Sequence, residues 1–399
     1  MMKVPFMDLK TQYAGLWNEI EPKLKTVFEQ CAFIGGTYVL RFEQEMAEYL
    51  RVKHSVGCGN GTDALSLALR ACGVQPGDEV ITTPFSFFAT AEAIAAIGAV
   101  PVFVDVRKSD YTMDPEKIEA AITEKTRVIL PVQIFGVCCD MDKITEIAHR
   151  HGLRVIEDDA QAIGSSYCGR MAGTLGDIGC FSFYPTKNLG GCGDGGMCTT
   201  NDDDLALILR SLREHGAGKS GARALELLEG ASVQAETTEK ATELYDPYKY
   251  FNYLIGYNSR LDAIQACVLS TKLRHLSDYN ARRSEIAQRY LNGLSKAVHC
   301  PDYSGDRIPC WHQFAVCSEH KNELCRYLDA HGVGSGTFYP VPLHRQRAFH
   351  EGNCKNAGAS LPVAEWVSAR SVCLPIYPEL SNEQVDYVIE TVNGFYEGR

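Results

Sequence analysis

Short apolar runs alternate with helical patterns over about residues 52–204 of this 399-residue chain. The runs that predict strands are 54–58, 79–83, 101–104, 128–133 and 153–157. The segments that predict helices are 62–71, 90–97, 115–122 and 141–151. Such alternation is typical of a mainly parallel sheet with helices on both faces. Ligands of such sheets bind beyond the carboxyl ends of the strands, so functional residues are expected there.

The second half of the chain has a different pattern. Residues 216–245 are rich in Gly, Ala and Glu with weak periodicity, which predicts a loop or an insertion. Residues 260–297 predict one long helix, because Leu261, Ile264 and Val268 repeat at helical spacing. The proline-containing remainder predicts a smaller α/β domain.

Charge and cysteine usage exclude several classes of protein. Lys and Arg total 39 against 50 Asp and Glu, a net charge of −11 without a basic run, which argues against a nucleic-acid surface. The longest nearly apolar run, 93–106, is too short and too interrupted for a bilayer span. Sixteen scattered cysteines without a Cys-x-x-Cys pair predict reduced thiols and no metal site. No signal peptide is recognisable, so we expect a cytoplasmic protein without membrane partners.

The segment 59–65, Gly-Asn-Gly-Thr-Asp-Ala-Leu, opens a predicted helix directly after a predicted strand. The N–H groups of such a helix start, with the Thr62 hydroxyl, suit a phosphate group. An ordinary helix cap by Thr62 or Asp63 is the alternative interpretation. The third glycine of a dinucleotide fingerprint is absent.

Acidic residues follow the apolar strand predicted at 153–157. A carboxylate at this position needs a cationic partner, such as a protonated pyridine nitrogen. The alternative is a helix N-cap by Asp158 or Asp159.

Lys187 lies in an apolar and aromatic segment, 181–188, which a glycine-rich run follows. Desolvation lowers the pKa of a lysine, so its neutral amine can attack an aldehyde. A surface lysine beside a flexible turn is the alternative. Taken together, the three segments contain the parts that hold pyridoxal phosphate: Asp158 at the pyridine nitrogen, Lys187 as Schiff-base residue, and Thr62 and Ser182 at the phosphate.

With these motifs in order, the chain resembles the nucleotide-sugar aminotransferases, often called the DegT/DnrJ/StrS group. The matching segments are 8–10, 61–65, 157–161, 169–170, 176–177, 181–183, 187–188, 193–196, 256–262 and 339–343. The resemblance implies a fold-type I pyridoxal phosphate-dependent transferase, like aspartate aminotransferase. It implies a large cofactor-binding domain with a mainly parallel mixed sheet at 1–250, with the insertion at about 217–245. A smaller C-terminal α/β domain at 251–399 would contain the long linking helix.

The resemblance also implies roles for single residues around the cofactor. Lys187 matches the Schiff-base lysine and Asp158 the partner of the pyridine nitrogen. Gln161 matches a residue at the cofactor hydroxyl and ring face, and Phe87 the aromatic on the other face. The positions that match phosphate ligands are Gly61, Thr62 and Ser182.

Three further positions concern the partner subunit and the substrate. Asn258 matches a residue that reaches the phosphate of the neighbouring subunit, which implies a homodimer with shared active sites. Arg260 and Tyr339 match positions near the substrate, although a helix-start salt bridge and a packed ring are the simpler interpretations.

The implied activity is amino transfer from L-glutamate to a 3-keto nucleotide sugar for surface polysaccharide or lipopolysaccharide biosynthesis. A UDP-2-acetamido-3-keto sugar or its uronic acid fits best; a dTDP-linked 3-keto or 4-keto 6-deoxyhexose and a non-catalytic regulatory role are the alternatives. A pyridoxamine-dependent dehydratase typically has histidine at the position of Lys187, which argues against it. Asn252, Phe338 and the stretch 217–245 depart from the family pattern where substrate is expected.

Overall fold

The computed structural model describes residues 2–230, 247–303 and 305–398. The helices are α1 (Leu9–Gln30), α2 (Gly36–Leu50), α3 (Gly61–Ala71), α4 (Ala89–Ala96), α5 (Met141–His151), α6 (Asp203–Leu212), α7 (Gly218–Glu229), α8 (Ala263–Leu273), α9 (Leu276–Gly293), α10 (Lys321–Ala330), α11 (Pro362–Arg370) and α12 (Asn382–Glu397). The strands are β1 (His54–Cys58), β2 (Glu79–Thr82), β3 (Val100–Phe103), β4 (Thr126–Leu130), β5 (Arg154–Asp158), β6 (Ser166–Tyr167), β7 (Arg170–Met171), β8 (Ile178–Ser182), β9 (Gly196–Thr200), β10 (Arg307–Ile308), β11 (Phe314–Cys317) and β12 (Ser371–Leu374).

A seven-stranded sheet in the order β1-β9-β8-β5-β4-β2-β3 forms the centre of the protein. The strands β8, β5, β4, β2 and β3 are parallel to one another, and β9 is antiparallel to both β1 and β8. The prediction of an α/β protein with a mainly parallel mixed sheet is therefore confirmed.

Helices cover both faces of this sheet because side chains along a strand alternate between the faces. Val80 and Ile156 pack in the cluster that contains α3 and α6. Their sequence neighbours Ile81 and Val155 pack in a second cluster with α5. Strands that are buried on both faces show as continuous apolar runs, which is why the sequence revealed them.

The prediction of a helix at 115–122 is wrong. The segment forms two short 3₁₀ turns, Pro115–Lys117 and Glu119–Ala121, although Asp114 caps the first turn as expected. Ile118 is the one fully buried side chain between residues 116 and 122, so no apolar face supports a longer α-helix.

The single long helix predicted at 260–297 is also wrong, because the chain turns between α8 and α9. Helix α8 is buried along nearly its whole length and packs against α1 and α2. Helix α9 instead packs against α12. One straight helix could not pack against α1 and α2 with its first half and against α12 with its second half.

The loop predicted at 216–245 contains a helix, α7, in its described part. Ala224 is buried, and Leu227 and Leu228 pack on the core beside the main sheet. These three positions have helical spacing, which the Gly, Ala and Glu content of the segment obscured. Residues 231–246 of the predicted insertion lie outside the described part of the chain.

A second core surrounds the antiparallel pair β11–β12 and includes side chains of α9, α10 and α12. Val4 is fully buried in this core and forms a β-bridge with Val333. The domain division at residues 250 and 251 stays a prediction. Within the described residues, every helix is too short or too polar to cross a bilayer.

Candidate active site

The start of helix α3 forms a cradle beside the end of strand β8. Asn60 caps α3 by accepting a hydrogen bond from the Asp63 N–H at 2.8 Å, so neither Thr62 nor Asp63 is the cap. A Cβ atom on Gly61 would lie 2.7 Å from the Cβ of Ser182. Glycine therefore lets the helix start approach Ser182. The N–H groups of Gly61 and Thr62, which Asn60 does not accept, stay available to an anion.

Asp158 ends strand β5 and is almost fully buried. Its carboxylate accepts hydrogen bonds from the Thr90 hydroxyl at 2.7 Å and from the Ala160 N–H at 3.2 Å. Burial raises the pKa of Asp158, and the Thr90 hydroxyl and the Lys187 cation oppose that rise. No helix begins at Asp158 or Asp159 among the described residues, so the alternative of a helix cap is wrong.

The two acidic neighbours of Asp158 have different surroundings. Glu157 is fully buried and accepts hydrogen bonds from the N–H groups of Leu175 and Gly176, at 2.7 and 2.9 Å. Both carboxylate oxygens of Asp159 are buried without a hydrogen-bond partner in the described residues. Burial, with Glu157 and Asp158 nearby, raises the pKa of Asp159 well above its usual value. Of the three acidic residues, Asp158 alone lines the cavity described below.

Lys187 lies in the loop after β8, and its backbone N–H donates to the Tyr184 carbonyl at 2.9 Å. Burial lowers the pKa of Lys187 to about 8, and the nearby Asp158 opposes part of that shift. A lysine with a lowered pKa is deprotonated in a larger fraction of molecules near neutral pH, and the neutral amine is the nucleophile. Lys187 is partly buried and lines a cavity, so the alternative of an exposed surface lysine is wrong.

A cavity of about 910 Å³ joins these groups at the carboxyl ends of the parallel strands. The predicted site residues that line it are Gly61, Thr62, Phe87, Asp158, Gln161, Ser182, Lys187 and Tyr339. Segments that are more than 150 residues apart along the chain thus meet around one space.

Tertiary contacts hold the Gln161 amide in place. Its oxygen accepts a hydrogen bond from the Phe135 N–H at 2.6 Å, and its nitrogen donates to the Tyr339 hydroxyl at 2.9 Å. The Tyr339 ring lies 6.1 Å from the ring of Phe87, which is more than half exposed. Tyr339 is therefore a member of the cavity wall as well as a packed ring.

Asn258 and Arg260 lie outside this cavity. Both are exposed, and the Arg260 guanidinium donates a hydrogen bond to the Asn258 side-chain oxygen. Among the positions that depart from the family pattern, Phe338 lines the cavity, whereas Asn252 is exposed and donates to the His215 carbonyl at 3.0 Å.

Sequence reasoning missed several residues of the cavity wall. These are chiefly Ser86, Thr90, Thr186, Asp194, His312 and Gln313. Thr90 was assigned to a helix but not to the site, since nothing local shows that its hydroxyl meets Asp158. His312 lies in the run Cys-Trp-His-Gln-Phe, 310–314, which has no recognisable motif.

The fold and this cavity define a pyridoxal phosphate-dependent aminotransferase, and comparison with known proteins identifies the family. Residues 16–393 match the DegT/DnrJ/EryC1/StrS aminotransferase family, and the chain belongs to this family. A "pleiotropic regulatory protein" of Geobacillus stearothermophilus is 43% identical, over 99% of both chains. The UDP-N-acetyl-3-dehydro-alpha-D-glucosamine 3-aminotransferase of Acidithiobacillus ferrooxidans is 39% identical, over 99% of this chain and 98% of its own.

Solved structures agree with this assignment. DesV of S. venezuelae, in complex with a ketimine intermediate, has a TM-score of 0.89 and 40% identity, over 100% of this chain and 99% of that chain. NtdA of Bacillus subtilis, with the bound cofactor PMP, has a TM-score of 0.85 and 31% identity, over 100% of this chain and 86% of that chain. The chain is therefore a sugar aminotransferase of this family, and pyridoxal phosphate is its cofactor.

The cavity fits pyridoxal phosphate on three observations. A single Cβ atom on Gly61 would fill the space between Gly61 and Ser182, so only glycine leaves this cradle open. Asp158 supplies a buried carboxylate for a pyridine nitrogen, and Lys187 supplies an amine that burial shifts toward its neutral form.

Proposed function

We propose that this protein transfers the amino group of L-glutamate to a UDP-2-acetamido-3-keto sugar or its uronic acid, for surface polysaccharide or lipopolysaccharide biosynthesis. The observation that carries the proposal is the amine of Lys187, with a pKa of about 8, in the same cavity as the Asp158 carboxylate. The choice of sugar is supported by the name of the Acidithiobacillus ferrooxidans relative.

Bound pyridoxal phosphate supplies an aldehyde that exchanges amino groups and a ring that withdraws electrons. Asp158 would accept the hydrogen bond of the pyridine N–H and so keep that nitrogen protonated. Lys187 would hold the cofactor between turnovers, and its free amine would accept and return the proton that amino transfer moves.

The other predicted site residues bind and orient. The helix start at Gly61 and Thr62, with the Ser182 hydroxyl, would hold the phosphate. Phe87 and Gln161, which line the same cavity, would hold the cofactor ring between them. The hydrogen bonds of Gln161 to Phe135 and Tyr339 support this role, because they fix its amide plane.

We also propose a homodimer in which Asn258 completes the phosphate site of the partner subunit, while Arg260 and Tyr339 contact substrate. The exposure of Asn258 and Arg260, away from the cavity of their own chain, supports this arrangement. Large apolar side chains that a second copy would cover are also exposed: Trp17, Phe28, Ile34, Leu40 and Ile255. The cytoplasm is the compartment that we propose.

The first test is the visible absorption spectrum of the purified protein before and after addition of L-glutamate. We expect the band of lysine-bound cofactor to disappear while the band of the amine form grows. A 3-keto and a 4-keto nucleotide sugar are then offered to the amine form, and the position of the new amino group is determined. A cofactor band that does not respond to glutamate would contradict the proposed donor, and amination at carbon 4 would contradict the proposed regiochemistry.

Lys187→Ala tests the central residue. We expect turnover to fall by at least about 10²-fold, the scale of general acid–base catalysis, while the circular dichroism spectrum stays that of the wild type. Lys125→Ala is the matched control, since Lys125 is exposed and does not line the cavity. Wild-type turnover by the Lys187 variant would contradict its assignment.

The second candidate function is regulatory, which the name of the Geobacillus stearothermophilus relative favours. A regulatory protein of this fold does not need a reactive lysine. Failure of the purified chain to form any cofactor band, even after incubation with pyridoxal phosphate, would favour this function over catalysis.

A further inference from the structure

His312 is a buried histidine on the wall of the cavity, two residues before strand β11. It lines the cavity together with Lys187, and the proposed transfer reaction leaves it without a role. Its hydrogen bonds determine which of its ring nitrogens carries the proton.

The side chain of Asn188 has only one possible orientation. Its nitrogen donates to the Cys310 carbonyl at 2.9 Å and to the side-chain oxygen of Asn280 at 2.9 Å. The nitrogen of Asn280 in turn donates to the Ile163 carbonyl at 3.1 Å. The remaining polar atom of Asn188 is therefore an amide oxygen, which only accepts hydrogen bonds.

That amide oxygen lies 3.1 Å from Nδ1 of His312. Nδ1 must donate in this contact, so the ring proton is on Nδ1 and Nε2 keeps its lone pair. Nε2 makes no hydrogen bond to any described residue. The imidazole of this cavity-lining residue thus has a fixed tautomer, with Nε2 as its hydrogen-bond acceptor.

The same surroundings keep the imidazole uncharged. Burial lowers the pKa of His312 well below its usual value, and the cations of Lys187 and Arg283 lower it further. Arg283 is held in place by the Ile376 carbonyl, at 2.7 Å. A neutral amide acceptor such as Asn188 orients the ring without the charge that a carboxylate would offer to an imidazolium.

Lys187 is the complementary group. The amine makes no hydrogen bond or ion pair with the described residues, and its four-carbon stem allows it to turn when it is free. We propose that His312 is a positioning residue: when the Lys187 amine has been displaced from the cofactor and its side chain turns toward the imidazole, Nε2 accepts a hydrogen bond from it. This inference rests on the proposed role of Lys187.

The titratable and charged groups around the two side chains are few. Asp158 and Cys310 influence Lys187, and Arg283 influences His312. Asp194 lies on the same cavity wall. A hydrogen bond to Nε2 favours the ammonium form of Lys187 and so adds to the effect of Asp158.

The first experiment determines the tautomer by NMR on the full-length holoenzyme with ¹⁵N-labelled histidine, with His312→Gln used for assignment. We expect Nδ1 of His312 to be protonated and Nε2 unprotonated between about pH 6 and pH 8. A proton on Nε2, or a charged ring at pH 7, would overturn the proposal. This experiment does not require turnover, so its result is independent of whether the proposed reaction is correct.

The second experiment compares two variants of similar size. His312→Asn retains a donor near the position of Nδ1 but lacks the acceptor, whereas His312→Gln places an amide oxygen near the position of Nε2. We expect the acidic limb of the kcat profile to move to lower pH by about one unit in His312→Asn, because the ammonium form of Lys187 loses a hydrogen bond. His312→Gln should retain the wild-type limb, and KM should change little in either variant. Equal shifts in both variants, or none in either, would mean a packing role and overturn the proposal.

Discussion

The hydroxyl of Thr90 should set the pH range in which Asp158 is ionised. It donates to Asp158 at 2.7 Å, and the Ser86 hydroxyl lies 2.7 Å from it on the other side. Thr90 is 1% exposed, so Thr90→Val removes the donor from a buried position and leaves the packing nearly unchanged.

The size of the effect follows from these contacts. A hydrogen bond to a charged group contributes roughly 1.5–3 kcal/mol, and one pKa unit corresponds to about 1.4 kcal/mol. Thr90 is the largest of the influences that lower the pKa of Asp158, against the larger effect of burial. We therefore expect the pKa of Asp158 to rise by about one to two units in Thr90→Val.

The assay is the affinity for pyridoxal phosphate between about pH 5 and pH 8, measured from the absorption of the bound cofactor. Asp158 must be ionised to bind a protonated pyridine nitrogen, so the pH below which affinity is lost should rise by the same one to two units. Thr90→Ser, which retains a hydroxyl, is the control and should behave as the wild type. An unchanged midpoint in Thr90→Val would refute the reasoning.

Two further substitutions test the packing and the charge around the site. Gly61→Ala places a Cβ atom 2.7 Å from the Cβ of Ser182. We expect the free energy of unfolding, measured with denaturant, to fall by about 1–3 kcal/mol, and cofactor binding, measured by absorption titration, to weaken at least about tenfold. The control is Gly15→Ala, whose Cβ meets nothing within 4 Å. A Gly61→Ala variant with wild-type affinity would contradict the phosphate cradle. Asp159→Asn replaces a carboxyl whose pKa is raised in the folded protein and whose oxygens have no partner in the described residues. As pH rises above the pKa of Asp159 in the unfolded chain, ionisation of this carboxyl favours the unfolded state. The Tm of Asp159→Asn should therefore exceed that of the wild type by a margin that widens from about pH 5 to pH 8. A constant margin would contradict this explanation.

The sequence alone predicted the features that depend on local patterns. Strands β2, β4 and β5 are buried on both faces, and their apolar runs are visible without any tertiary information. The order of glycine turn, strand-terminal carboxylate and lysine also predicted a pyridoxal phosphate site, because each part occupies one short segment.

The failures also have physical reasons. The turn between α8 and α9 depends on which surface each half packs against, and helical periodicity continues through it. The helix α7 was missed because its few apolar residues lie among Gly, Ala and Glu. The roles of Asn258 and Arg260 concern a second copy of the chain and stay predictions.

By itself, then, the sequence determined the class of fold, the family and the cofactor, since residues close together in the chain encode each of them. The tertiary structure decided the hydrogen bonds and the pKa shifts of the reactive groups. Thr90 meets Asp158 across 68 positions, Gln161 meets Tyr339 across 178, and Asn188 meets His312 across 124. Burial, which shifts the pKa of Lys187 to about 8, also arises only when distant segments close around it. Such contacts have no local signature, because their energy depends on the separation between side chains in the folded chain rather than on their spacing in sequence.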